Sequence, residues 1–197
     1  MGNNLEEVEH LLLIDGSGFI FRAYHALPKL TKSDGTPTGA VAGYCNMLFK
    51  ILNEMEKFKA SHLAVIFDQK DKTFRTEIYP EYKANRPPPP EDLVPQFDII
   101  REATRAFGIV SIEKKGFEAD DIIATLSKEA NDNGAKVTIF SSDKDLMQLV
   151  SEKTLMYDPI KNTYINTDKV KEKFGVLPNK VIDVQSLIDY KILMYNG

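Results

Sequence analysis

The 197 residues carry a net charge of -4, with 43% hydrophobic and 27% charged side chains and a single cysteine, Cys45. That balance describes a soluble globular chain with enough apolar residues for a core, and it excludes collagen-like or low-complexity classes and a uniformly basic nucleic-acid coat. One cysteine forbids an internal disulfide and fits a reducing compartment. The apolar run at 11–14, preceded by a polar and acidic segment, is too short for a signal peptide or membrane span, so a cytoplasmic location is expected.

In chain order, residues 11–14 read as a buried strand ending in Asp15, and Asp15-Gly16-Ser17-Gly18 as a tight turn into a short helix over 19–26 that Pro28 ends. Apolar residues at Val41, Tyr44, Cys45, Leu48, Phe49, Leu52 and Met55 keep helical spacing and predict an amphipathic helix over 39–58. A second strand, 63–67, ends in Asp68. The polar stretch 69–90 closes with four prolines. Stretches of this length within a compact domain are commonly functional or mobile, and this one is expected to become ordered on a single strand. A helix over 91–107 and a strand at 109–112 follow. The next helix, 119–131, opens with Glu118-Ala119-Asp120-Asp121 and is stopped by Asn133-Gly134. The third long strand, 137–142, leads to Asp143 and Asp145 on a short helical turn, 145–150. A hairpin pairs 154–157 with 163–165 around Asp158-Pro159, and helices are expected over 168–174 and 178–187.

Apolar strands separated by helical patterns predict an α/β fold with a mainly parallel central sheet flanked by helices. Open parallel sheets bind ligands at the carboxyl ends of their strands, so Asp15, Asp68, Asp143 and Asp145 are expected on one rim, joined by Glu118, Asp120 and Asp121. Taken singly, each has an ordinary explanation as a turn residue or a helix-capping acid, and Asp158 is read as a turn residue. Together the seven cannot all remain ionised without compensation. Oxygen ligands with no nearby His or Cys suit Mg²⁺ or Mn²⁺, and a two-metal site points to phosphoester hydrolysis. The stretch after Asp68 mixes aromatic faces with cations, Phe74, Arg75, Tyr79, Tyr82, Lys83 and Arg86, the combination that stacks unpaired bases and follows a phosphate backbone.

Six blocks carry a family resemblance: Leu12-Leu13-Ile14-Asp15-Gly16-Ser17; Val65-Ile66-Phe67-Asp68; Phe74-Arg75; Tyr82-Lys83-Ala84-Asn85-Arg86-Pro87; Gly116-Phe117-Glu118-Ala119-Asp120-Asp121; and Ser142-Asp143-Lys144-Asp145-Leu146-Met147-Gln148-Leu149. In order and spacing they resemble the 5'-3' exonuclease domain of bacterial DNA polymerase I, one of the flap endonucleases. The resemblance implies a PIN-like 5' nuclease fold and a Mg²⁺-dependent hydrolase that removes 5' ends, flaps and RNA primers in replication and repair. It also implies that Asp15, Asp68, Glu118, Asp120, Asp121, Asp143 and Asp145 bind metal. By the same resemblance Tyr82, Lys83 and Arg86 form the arch through which a single strand approaches, with Lys83 positioning the scissile phosphate; from the same cationic and aromatic loop Arg75 and Tyr79 are also expected to meet DNA, and Arg86 to act beside Lys83.

The family continues after a segment like 181–187 with Gly-Asp-Ser-Ser-Asp-Asn and a helical hairpin motif that grips duplex DNA. Here Ile188-Asp189-Tyr190-Lys191 follows instead. The sequence-based expectation is an exonuclease core over 1–187 and a divergent tail over 188–197, left by a lost reading frame or a split gene. Asp189 then stands in for at most one ligand, the second metal position is weakened and cleavage is impaired, and a separately encoded polymerase is a candidate partner. Two other readings stay open: an impaired DNA-binding remnant, and a stand-alone metal-dependent ribonuclease or phosphatase of related fold.

Overall fold

The computed structural model describes residues 9–69, 71–159 and 161–195, the last seven by backbone alone. Lys70 and the side chain of Asp189 therefore lie outside the described residues. Among those described, six strands form one sheet: β1 His10–Asp15, β2 His62–Ile66, β3 Val110–Ile112, β4 Lys136–Phe140, β5 Thr154–Asp158 and β6 Thr163–Ile165. Their order is β3-β2-β1-β4-β5-β6. The first five run parallel and β6 returns antiparallel at the edge. Helices α1 Gly16–Ala26, α2 Gly39–Asn53 and α3 Met55–Phe58 join β1 to β2, while α4 Phe74–Ile78 and α5 Val94–Ala106 join β2 to β3. Helix α6 Ala119–Asp132 precedes β4, and α7 Thr167–Phe174 and α8 Val181–Tyr195 follow β6.

The strands are apolar on both faces because helices cover both. Leu12 and Ile14 point into one core with Phe19, Tyr44, Leu48 and Phe140. Leu13, between them, points into the opposite core with Ile123, Ile139 and Val170. This alternation fixes the register, since a slip of one residue would exchange the two faces. The central position of β1 also sets the site. From β1 the chain moves outward to β2 and β3, then returns to β4 on the other side, so the sheet's switch point lies between β1 and β4.

Several boundaries differ from the sequence expectations. The helix expected over 39–58 breaks at Glu54 into α2 and α3, and Lys59 ends α3 in the left-handed region at φ 50°. The break turns Phe58 into the core, where its ring meets Phe140 and Tyr157 edge-on. Helix α5 starts at Val94 rather than 91, with Pro95 in its first turn, where no donor is required. Among the described residues the 69–90 stretch holds one short helix, α4. The hairpin of β5 and β6 is part of the main sheet because β5 also pairs with β4. Asp158 sits at that turn and accepts the Lys161 N–H. Helix α8 continues past Leu187 without a backbone break. Among the described residues no helix is long and apolar enough to cross a membrane.

Candidate active-site cleft

A cleft of about 630 Å³ opens at the carboxyl ends of β1, β2 and β4. Seven carboxylates line it, Asp15, Asp68, Glu118, Asp120, Asp121, Asp143 and Asp145, against four cations, Arg75, Lys83, Arg86 and Lys144. All seven acidic residues singled out in the sequence thus share one cavity.

Asp15 is the deepest. It ends β1 and caps α1, accepting the Gly18 N–H at 2.8 Å. The Ser141 hydroxyl donates to its other oxygen at 2.8 Å. The glycines flanking Ser17 have steric causes. A Cβ at Gly16 would lie 2.8 Å from the Ile66 carbonyl oxygen, and one at Gly18 would lie 2.5 Å from the Asp15 carboxylate. Burial raises the Asp15 pKa, and the nearby charges of Asp68 and Asp143 add to the rise despite two hydrogen bonds that oppose it.

Asp68 follows β2. Its backbone N–H donates to the Ser17 hydroxyl at 3.0 Å, and its carboxylate accepts the Ala119 N–H at 2.7 Å. That second bond places Asp68 at the positive end of α6. Asp120, on the first turn of α6, accepts no hydrogen bond among the described residues. Burial and then the charges of Asp15, Asp143 and Asp68 push its pKa up to about 7. Asp143 and Asp145 are held by a turn after β4: Ser141 Oγ accepts the Asp143 N–H, and Asp143 Oδ1 accepts the Asp145 N–H. Gln185 of α8 donates to Asp145 Oδ1.

The other two acids behave differently. Glu118 accepts from Lys83 Nζ at 2.7 Å and from the Tyr82 hydroxyl at 3.1 Å. Asp121 pairs bidentately with Arg75, at 2.6 and 2.7 Å, and accepts the Glu118 N–H at 3.0 Å in a capping box. Arg75 holds the Asp121 carboxyl below its usual range, and the Arg75 pKa rises in return. Burial works to lower the Lys83 pKa, but its bond and charge pairing with Glu118 outweigh that and the net shift is upward.

The seven carboxylates therefore ring the cleft instead of meeting at one point. Among the described residues no three His, Cys, Asp or Glu side chains stand close enough together to form a ready-made cation cage. The four that repel one another, Asp15, Asp68, Asp120 and Asp143, supply oxygen donors alone, a set that fits a hard divalent ion. Of the cationic and aromatic residues, Arg75, Tyr82, Lys83 and Arg86 line the same cleft. Tyr79 does not: it is 55% exposed and its hydroxyl donates to Glu81. Its position in the turn after α4 points it outward. Sequence reasoning missed Ser141 and Gln185, which contact the carboxylates, and Arg101. The Arg101 guanidinium donates to the Asp68 carbonyl at 2.9 Å and to Glu113 at 3.0 Å.

A parallel sheet that gathers acids at its switch point beneath a cationic segment is the architecture of the 5' nuclease fold. The bacteriophage T5 flap endonuclease, in a pseudo-enzyme–product complex with DNA and metal ions, superposes with a TM-score of 0.67 at 21% identity, covering 88% of this chain and 64% of that one. The chain belongs to the 5'-3' exonuclease family, whose N-terminal resolvase-like domain matches residues 10–175. It is 57% identical over 188 residues to DNA polymerase I of Rhizobium leguminosarum, an alignment covering 93% of this chain and 18% of that protein. It is 41% identical over 182 residues to a 5'-3' exonuclease of Aquifex aeolicus, covering 92% of this chain and 62% of that protein. The chain thus spans less than two thirds of each of these relatives.

Proposed function

We propose that this chain carries the hydrolytic centre of a 5'-3' exonuclease and 5'-flap endonuclease, cutting phosphodiester bonds of DNA and of RNA primers. The observation that carries the reading is the position of Asp120. A half-buried carboxylate with three acidic neighbours and no hydrogen-bond donor among the described residues lies in the same cleft as Lys83 and Arg86. A site that lacks positive charge at its floor and offers it at its rim suits a divalent ion below and a phosphate backbone above.

In this reading Asp15, Asp68 and Asp120 would hold the first ion, Mg²⁺ or Mn²⁺, with Glu118 available to it once Lys83 turns to the substrate. Bound metal supplies an activated water and charge stabilisation for the leaving oxygen. Asp143 and Asp145 supply a second, weaker position, because both are exposed and only two carboxylates contribute. Tyr82 offers a face on which a base of the 5' strand stacks, and Lys83 and Arg86 neutralise the phosphate beside the bond to be cut.

The test is cleavage of a 5'-flap DNA in Mg²⁺. Asp120→Asn should abolish cleavage and also the rise in melting temperature produced by millimolar Mg²⁺ or Mn²⁺, a rise expected from mass action on a site present only in the folded state. Cleavage that persists in Asp120→Asn would overturn the assignment. A wild-type preference for small phosphate esters over branched DNA would favour a phosphatase instead.

A further inference from the structure

The Glu118-Ala119-Asp120-Asp121 block divides its labour along one helical turn. We infer that Asp121 is a positioning residue that docks the 74–86 segment through Arg75, and that it does not bind metal.

The geometry leaves Asp121 little to offer an ion. A carboxylate has about four acceptor positions. Asp121 spends two on the Arg75 fork and a third on the Glu118 N–H. Any divalent ion on the remaining position would sit beside a guanidinium already in contact with both oxygens, and the two positive charges would repel. Asp120, one residue earlier, has the opposite surroundings: three acids nearby and no donor among the described residues.

The same contact orders the segment that carries the substrate-facing cations. Arg75 lies in the first turn of α4, and its guanidinium lies over the Phe74 ring at 4.6 Å and near the Tyr82 ring at 5.9 Å. Phe74 packs against Phe117, and its N–H donates to the Gly116 carbonyl at 3.0 Å. These contacts tie the beginning of the segment to the residues just before α6. Its far part is tied by Lys83, which adopts φ 56°, a left-handed conformation unfavourable for a non-glycine residue, and reaches Glu118 from there. The two ties differ in kind. Lys83 reaches Glu118 through one ammonium that a phosphate can draw away, with the Tyr82 hydroxyl on the other carboxylate oxygen, whereas Arg75–Asp121 is a bidentate fork inside a capping box. Asp121 thus anchors the segment while Lys83 exchanges partners.

The inference rests on the proposed nuclease reading for its substrate arm alone, and its test keeps the two apart. The variants are Asp121→Asn, Arg75→Gln and the double variant, with Asp120→Asn as the comparison. Mn²⁺ affinity is read by thermal-shift titration, docking by the rate of tryptic cleavage after Lys83 in the DNA-free protein, and substrate binding by KM against kcat on a 5'-flap DNA. Asp121→Asn and Arg75→Gln should each speed cleavage after Lys83 by roughly tenfold, as expected for loss of a partly exposed bidentate pair, and the double variant should add little. KM should rise more than kcat falls, while Mn²⁺ affinity stays within about twofold of the wild type, against a loss of tenfold or more in Asp120→Asn.

Loss of Mn²⁺ affinity in Asp121→Asn but not in Arg75→Gln would make Asp121 a ligand and overturn the inference. Unchanged proteolysis in both single variants would overturn it equally. If the wild type cleaves no flap DNA, the nuclease reading fails, and the proteolysis and Mn²⁺ arms still decide the role of Asp121.

Discussion

Ser141 and Asp15 join the ends of the two central strands: the Ser141 hydroxyl donates to the buried Asp15 carboxylate at 2.8 Å and itself accepts the Asp143 N–H at 3.0 Å. One hydroxyl therefore sets the spacing of two acids at the sheet's switch point. Ser141→Ala removes the donor from a carboxylate that is only 7% exposed. With Asp15 ionised the expected loss is about 1–3 kcal/mol, the usual consequence of taking the donor from one oxygen of a buried carboxylate, the other still accepting the Gly18 N–H. The loss should shrink as pH falls and Asp15 becomes protonated. Urea unfolding across a pH series checks this; an equal loss throughout would assign the bond no special weight toward the charged form.

Asp120 predicts how stability follows pH in the metal-free protein. Burial and its acidic neighbours push its pKa up to about 7, against 3.8 for an ordinary aspartate. Between those values the folded state binds more protons than the unfolded one, so this site's contribution to stability falls as pH rises through that window and levels off above it. Asp15, also shifted upward, acts in the same direction. Asp120→Asn should flatten the decline. Because metal and protons compete for the same oxygens, Mg²⁺ should raise the melting temperature more at pH 8 than at pH 5.5. A stabilisation by Mg²⁺ that is independent of pH would separate the ion from these carboxylates.

The parts of this arrangement that could be read from sequence are those with local periodicity. Leu12, Leu13 and Ile14 announce a strand buried on both faces, and acids placed directly after such strands mark the carboxyl-end rim. Contacts between distant segments were not legible. Arg75 and Asp121 are 46 residues apart, and each is explained by local chemistry, a loop cation in one case and a helix-capping acid in the other. Only the folded geometry pairs them. The break at Glu54 leaves no mark in the sequence because the apolar spacing of α2 runs through it; burial of Phe58 against Phe140 decides the bend. Tyr79 shares its composition with Tyr82, yet the turn after α4 aims them in different directions.

The two glycines beside Ser17 should separate stability from metal binding. Gly16→Ala places a Cβ 2.5 Å from the Phe67 ring and 2.8 Å from the Ile66 carbonyl oxygen. Backbone cannot yield cheaply, and overpacking of this kind costs typically 1–3 kcal/mol. Gly18→Ala meets the Asp15 carboxylate instead, at 2.5 Å. Moving that side chain breaks its bonds to the Gly18 N–H and the Ser141 hydroxyl, so stability falls here too, while the displacement of Asp15 should weaken the Mn²⁺-induced rise more than Gly16→Ala does. Equal effects of both substitutions on stability and on the Mn²⁺ response would show that the turn behaves as one rigid unit.

Gln185 gives the last prediction, because it links α8 to the cleft. Its side-chain amide donates to Asp145 Oδ1 from a helix that otherwise contributes Ile182 and Ser186 to the same wall. Asp145 is exposed, so without this tether its carboxylate is free to sample rotamers away from Asp143. Gln185→Leu removes one hydrogen bond at a half-buried position, and its effect on stability should be about 1 kcal/mol or less, the usual net worth of such a bond. Binding at the second metal position should suffer more than binding at the first, since Asp15, Asp68 and Asp120 do not touch Gln185. A two-site Mn²⁺ titration by calorimetry should therefore show the weaker site weakened further and the stronger one unchanged. Weakening of the stronger site, or of neither, would remove Gln185 from the positioning of Asp145.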